Sequence, residues 1–264
     1  MQTSKKIIED KRISSRKRKI VLRKWLAVLW VIIVIVIFGL AIWGLNYFYN
    51  STYFMVKNID IRGSSYYKSE AITESIKDLN GANIFEVDKK KYEDIIINNF
   101  ARIKKAELQK VFPDNLIISL TDRLPFLVIF YRNSYFLIDS EGVVIEDITN
   151  MKEEYKDLLI AKDAISYMPA LGDKIARKNV ISSAIIYNAF AKDIKIKIKY
   201  AMISNNSSGD ILFETIDGKM IIYGDSKEIT KKNLVLEQIL KDLKNENTYY
   251  SIIDLTISDN PVVK

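Results

Sequence analysis

The longest apolar run in the chain is WLAVLWVIIVIVIFGLAIWGL, Trp25 to Leu45, 21 residues without a charge. Coiled as a helix it is roughly 31 Å long, close to the ~30 Å hydrocarbon core of a bilayer. All three Trp of the chain lie in it: Trp25 and Trp43 near the ends, Trp30 between them. Leu45 closes the run, and Tyr47, Phe48 and Tyr49 follow. Aromatic rings at both ends suit the two membrane–water interfaces. A secretory signal core is shorter, about 7–15 residues, and ends in small residues before a cleavage site. No such pattern follows here. The reading is one transmembrane helix over residues 25–47.

Beyond it the pattern becomes that of a folded domain. Val56, Ile59 and Ile61 alternate with charged residues and predict a short strand that Gly63 ends. A helix is expected from Ser69 as N-cap to Leu79, with Ile72, Ile76 and Leu79 on one face and Asn80-Gly81 as its stop. Asp88 should cap a second helix that turns Tyr92, Ile95, Ile96 and Phe100 inward. RIKKAELQKVF and NLIISLTDR read as two strands around the turn Phe112-Pro113-Asp114-Asn115. The order is β-α-α-β-β within about 70 residues.

From Phe126 hairpins take over. FLVIFY and SYFLID flank Arg132-Asn133, and DSEG turns into VVIED. Residues 150–176 are ambiguous. Arg177 to Lys192 is an amphipathic helix. IKIKIKYAMI, DILFETI and KMIIYG read as strands, the last two around Asp217-Gly218. A helix from about Thr230 to Leu243 and a last strand near Ser251 to Ile257 complete a mostly antiparallel α+β fold. Lys195, Lys197 and Lys199 fall on one face of a strand at period 2. That reads as a solvated face or a protected edge, with contact to an anionic polymer as the alternative.

Charge and composition narrow the function. The net charge is +7, but residues 1–24 hold ten Lys or Arg against two acids, so the remainder is close to neutral. The basic excess is a tail rather than a field for nucleic acid. Cations before the apolar run place the N-terminus in the cytoplasm and the bulk of the chain outside. With no Cys and no His, a Cys nucleophile, a Ser-His-Asp triad and a His or Cys zinc site are excluded.

Ser-Lys chemistry survives that exclusion. Ser65-Tyr66-Tyr67-Lys68 is an S-x-x-K and Ser258-Asp259-Asn260 an S-D-N, both pieces of penicillin-binding serine enzymes. Such a Ser must open a helix that carries its Lys one turn on. Here Ser65 precedes the expected helix, and no K-T-G or K-S-G exists in the chain. The bland reading is preferred: Gly63 makes a turn and Ser69 caps a helix.

FMVKNIDIRGSSYYKSEAI followed by GANIFEVD resembles a polypeptide-transport-associated (POTRA) domain. VFPDNLIISLTDRLPFLV, FLIDSEGVVIE, MPALGD and IIYGD…KKNLVLEQIL…IIDLTISDNPVV resemble, in order, the following segments of the bacterial divisome family FtsQ/DivIB. Asp122 and Phe112 stand where Glu and Trp are commoner in that family, and 147–167 has no clear match. The resemblance implies a basic tail (1–24), a membrane helix (25–47), a POTRA domain (52–124) and a β domain (125–264). It implies a non-enzymatic scaffold, without cofactor, at the cell membrane and enriched at the division septum. Its partners would be small bitopic coiled-coil proteins of the FtsL and FtsB/DivIC types and, indirectly, the septal peptidoglycan synthase. A terminal strand at a sheet edge exposes main-chain groups that a partner strand can pair. The expected partner site is therefore Asp254, Leu255, Thr256, Ile257, Ser258 and Asp259, with Thr256 and Ile257 central. The alternative is a membrane-anchored POTRA protein of a transport or assembly system.

Overall fold

The structure is a computed structural model that describes Trp25, Val28–Tyr49, Ser51–Ser204 and Asp210–Lys264. The basic tail, residues 1–24, lies outside the described residues. Helix α1 (Val28–Tyr49) carries the apolar run; by length and composition it can cross a membrane, and its apolar window is buried against no protein. Trp30, Trp43 and Leu45 are all largely exposed along it, and so is Trp25 ahead of it.

Then follow β1 (Asn58–Arg62), α2 (Ser69–Ser75), α3 (Lys89–Asn99), β2 (Ile103–Val111) and β3 (Asn115–Asp122). The three strands form one sheet in the order β1-β3-β2. Next come β4 (Pro125–Tyr131), β5 (Ser134–Asp139), β6 (Val144–Ile148), β7 (Ile160–Lys162), α4 (Lys178–Ala189), α5 (Lys192–Lys195), β8 (Ile198–Ile203), β9 (Ile211–Thr215), β10 (Met220–Gly224), α6 (Ile229–Asn245), β11 (Ile252–Asp254) and β12 (Val262–Val263). These strands form a nine-stranded sheet, β12-β11-β10-β9-β8-β7-β4-β5-β6. Most pairs are antiparallel; β4·β7, β7·β8 and β10·β11 are parallel.

The contacts divide the chain into two units. One holds residues up to Ile59 with Asp78–Val87 and Lys110–Leu116; the other holds Asp60–Lys77, Asp88–Gln109 and Ile117–Lys264. In the first, Phe54, Val56, Leu79, Ile84 and Leu116 are buried. In the second, α4 and α6 cover one face of the large sheet. Val180, Ala184, Tyr187 and Leu236 join Leu127, Ile129, Phe136, Phe213 and Tyr223 in one core. On the opposite face Val128, Leu137, Ile145 and Ile148 pack with Tyr155. Strands buried on both faces explain why FLVIFY and SYFLID are unbroken apolar runs rather than alternations.

Asp88 caps α3 as expected, its Oδ1 accepting from the Lys91 amide at 3.3 Å. Ser69 does not cap α2. The N-cap is Lys68, and Ser69 is already helical. Ser64 Oγ accepts the amides of Tyr66 and Tyr67, so a turn uses them upstream and the chain enters the helix extended at Lys68. The helix also stops at Ser75; a 3-10 turn, Lys77–Leu79, carries Leu79 inward. IKIKIK is a second correction. Ile194 and Ile198 are buried while Ile196 is 64% exposed. Ile194 is buried from the short helix α5, Ile196 and Lys197 form a turn, and β8 starts only at Ile198, so Lys195 sits in α5 and only Lys199 lies in a strand. Residues 150–176, ambiguous in sequence, supply β7.

Two segments that carried the family resemblance meet in space. Arg123, just after β3, donates from Nη1 to the buried Asp139 at 2.6 Å and to Glu141 at 3.1 Å. Asp139 Oδ1 also accepts the amides of Glu141 and Val143, which fixes the turn from β5 into β6. Beside it Arg102 is 3% exposed, paired with Glu146, bonded to Tyr155 Oη at 2.8 Å and stacked 3.7 Å over the ring of Tyr66. The Glu146 carboxyl is held below its usual range. Burial alone would raise it, but hydrogen bonds from Lys152 and Arg102 outweigh that.

Two outcomes are expected. Arg123→Ala strands a buried carboxylate and should cost about 3 kcal/mol in a urea melt. Glu146→Gln should lower the melting temperature at pH 7, where wild-type Glu146 is charged and paired. A carboxyl with a lowered folded value loses its stabilising contribution as pH falls through that value. The gap between wild type and Glu146→Gln should therefore be largest above the ordinary value of 4.5 and shrink as pH falls below it. Melting curves across pH 3–7 check it.

Candidate functional site

A sheet of nine strands has two edges. At the C-terminal one, β11 lies between β10, which it pairs in parallel, and β12, which it pairs antiparallel. Lys264 closes the ladder: its carbonyl accepts the amides of Ser251 and Ile252, and its amide donates to Ile252 at 2.9 Å. Groups on alternate residues of an antiparallel strand face opposite sides. Lys264 and Val262 therefore turn their main chain toward β11, and Val263 turns its own outward, where no described strand lies.

The run Asp254 to Asp259 does not form the edge strand that its sequence predicts. Only Asp254 is in a strand, and that strand is interior. Asp254 Oδ1 accepts the Thr256 amide at 2.9 Å, a local bond that turns the chain out of the ladder. Leu255 is fully buried, its amide donating to Ile222 at 2.7 Å. Thr256 packs on Gly224, where an added Cβ would stand 3.2 Å from Thr256 Cα. Ile257 is exposed, and its carbonyl accepts the amide of Asn260. Ser258 is buried and donates to Glu228 at 2.8 Å, and Asp259 pairs with Lys231. Burial at 255 and 258 breaks the period of two that an edge strand needs.

The loop is thus fastened to the first turn of α6, and that turn is fastened from below. Lys232 is 2% exposed. Its ammonium donates to the carbonyls of Tyr223 at 2.9 Å and Asp225 at 3.3 Å, and reaches Asp225 Oδ1 at 3.4 Å. Asn233 accepts from Tyr223 Oη at 2.8 Å and donates to Ala189 at the end of α4. For the Asp225 carboxyl, burial pulls upward, but hydrogen bonds from Lys227 and Lys232 win and hold it below the usual range. Its bond to Asp259 raises Lys231, and burial raises Tyr223. These residues were missed from sequence except as a Lys-bearing helix. The signal was there: Lys232 lies one turn from Leu236, on the stripe of α6 that packs on the core.

Chemically, the edge offers an outward main-chain ladder position and the exposed apolar residues Ile257, Val262 and Val263 beside an ion pair. The two serine motifs are engaged elsewhere. Ser65 gives its amide and hydroxyl to Asp122, at 2.8 and 3.1 Å, and Ser258 gives its hydroxyl to Glu228. Lys68 stands at the N-cap position of α2, before the helix, with its side chain making no cap hydrogen bond.

Residues 54–123 match the family described as POTRA domain, FtsQ-type. The chain is similar to cell division protein DivIB of Clostridium acetobutylicum, 28% identical over 223 residues that cover 80% of this chain and 82% of that one. DivIB of Clostridium tetani is 25% identical, covering 80% and 79%. Cell division protein FtsQ of Corynebacterium glutamicum is 22% identical, covering 70% and 78%. The resemblance read from the sequence motifs is borne out along four fifths of the chain.

Removing the Lys232 ammonium should orphan the buried Tyr223 carbonyl and free that of Asp225. Lys232→Met keeps the volume and should cost about 2 kcal/mol. Hydrogen exchange should rise at residues 252–258 before it rises in β4 and β5.

Proposed function

We propose that this FtsQ/DivIB-related chain is a non-enzymatic scaffold of cell division. It is anchored by α1 with the N-terminus in the cytoplasm, its bulk extracytoplasmic, and it concentrates at the septum. The ten cations ahead of the helix support that orientation. A POTRA domain over 52–124 and a β domain over 125–264 face partners outside. Those partners are small bitopic coiled-coil proteins of the FtsL and FtsB/DivIC types, through which the septal peptidoglycan synthase is recruited or controlled.

The observation that carries this reading is the outward face of β12 at the end of the sheet. A partner segment pairing there would extend the sheet by one strand, with main-chain bonds for affinity and Ile257, Val262 and Val263 for side-chain contact. The Asp254–Asp259 loop enters as the flank of that site rather than as the pairing strand. Buried Lys232 keeps flank and edge in register.

Val263→Pro removes the outward amide and leaves the inward bonds of Lys264 in place. Folding should be retained to within about 1 kcal/mol, and co-purification of the bitopic partners should be lost. Retained co-purification would exclude the edge. A fluorescent protein fused to the N-terminus should mark a band at the division site. An even membrane signal through the cycle would favour the transport or assembly alternative.

A further inference from the structure

The aromatic residues beyond the apolar helix do not disperse. In the first unit Phe48 meets Phe54 with ring centroids 4.6 Å apart, and Phe54 meets Phe85 at 5.0 Å. Phe85 in turn stacks on Tyr49 at 5.4 Å and meets Phe112 at 5.2 Å. One continuous set of rings thus joins the last turn of α1 to the loop Asp78–Val87 and to the turn between β2 and β3. Main-chain contacts tie the same parts. Asn83 Nδ2 donates to the Tyr49 carbonyl, and the Ile84 amide donates to Phe54 at 2.9 Å.

These rings are ordered by one another, and all but the buried Phe54 face outward. Phe48 is 57% exposed, Phe112 55%, and Phe85 and Tyr49 39% each. A contiguous apolar patch of this kind on a soluble surface calls for an occupant. The helix says which. Its 22 residues span about 33 Å, against ~30 Å of hydrocarbon and a headgroup layer of roughly 5–7 Å on each side. The last turn of α1 therefore falls at the hydrocarbon boundary, and rings in direct contact with it lie within the headgroup layer. Aromatic side chains favour that layer over both water and hydrocarbon. Lys110 Nζ, 3.3 Å from the Phe85 carbonyl, places a cation beside them at the same level.

We propose that Phe48, Tyr49, Phe85 and Phe112, backed by the buried ring of Phe54, form a lipid-binding seat that holds the first unit in the headgroup layer of the bilayer crossed by α1. The proposal rests on reading α1 as a membrane anchor. Seated this way, the chain leaves the membrane in a set direction instead of pivoting freely at Ser51.

The chain contains no Cys, so a single introduced thiol can carry an environment-sensitive fluorophore without background. The full chain is reconstituted in vesicles of phosphatidylethanolamine and phosphatidylglycerol, and quenching by nitroxide lipids is read at two sites. A probe at Phe38→Cys reports the anchor, and one at Val111→Cys, beside the rings, reports the seat. Position 38 should be quenched from the acyl chains and position 111 from the headgroups. Adding Phe85→Ser and Phe112→Ser should abolish quenching at 111 and leave 38 unchanged. If that pair loses its circular dichroism, Phe112→Ser alone must weaken quenching at 111. Quenching at 38 without 111 overturns the seat and leaves the anchor standing. Protection at 111 only when a division partner is added also overturns it, in favour of a protein contact. Quenching at neither site removes the anchor and the seat together. Undiminished quenching in the serine variants overturns the assignment to these rings.

Discussion

The large sheet depends on β7. Every main-chain bond between the hairpin half, β4 to β6, and the C-terminal half, β8 to β12, passes through those three residues. Val128, Ile129 and Phe130 of β4 pair with them on one side, and Ala201 and Met202 of β8 on the other, in parallel each time. Parallel neighbours cannot be joined by a tight turn. The long segments on either side of β7, one of them holding α4, follow from that constraint. Ala161 at its centre is fully buried, so little side-chain volume keeps the two halves closed against the shared core.

Because the sheet is continuous, its true ends are far from its middle in strand order, and each end is managed by chemistry. At the β6 end a buried Arg102 and its pairing with Glu146 accompany the edge, with Arg123 and Asp139 fixing the turn that precedes it. Buried charge of this kind adds little net stability but penalises any other arrangement, because each partner alone would be a buried orphan. At the β12 end the device is lighter. A two-residue strand is held by Lys264, and a loop beside it is pinned by Glu228, Lys231 and, from beneath, Lys232. A short exposed edge avoids indiscriminate pairing yet remains available to a segment of the right shape.

The end that carries α1 is proposed to meet a different solvent. There a helix with no protein around it passes into a set of aromatic rings half covered by one another. Their outward placement suits a medium that favours aromatic surface. The two surfaces proposed to act, one toward lipid and one toward partner chains, are thus both places where the fold leaves its own main chain or apolar side chains uncovered.

The sequence by itself determined a good deal. The apolar run, the β-α-α-β-β order, the hairpin around Arg132-Asn133, the two long helices of the second unit and the family resemblance were all legible. Each rests on local periodicity or turn chemistry, which needs no partner. The sequence did not determine β7, because three residues at the end of the short apolar run Leu158–Ala161 are too few to carry a period. It misread IKIKIK, because alternating Lys and Ile satisfy a strand while the chain buries Ile194 from a four-residue helix, turns at Ile196 and Lys197, and enters β8 at Ile198. It also misplaced the sheet edge. Asp254 to Asp259 reads as a strand, but an aspartate bonding its own main chain, and burial of Leu255 and Ser258, turned it into a loop and passed the edge to Val262–Val263. Pairings such as Arg123 with Asp139 and Arg102 with Glu146 join residues that only the folded chain brings together. Long-range burial decided those, and no local pattern encodes it.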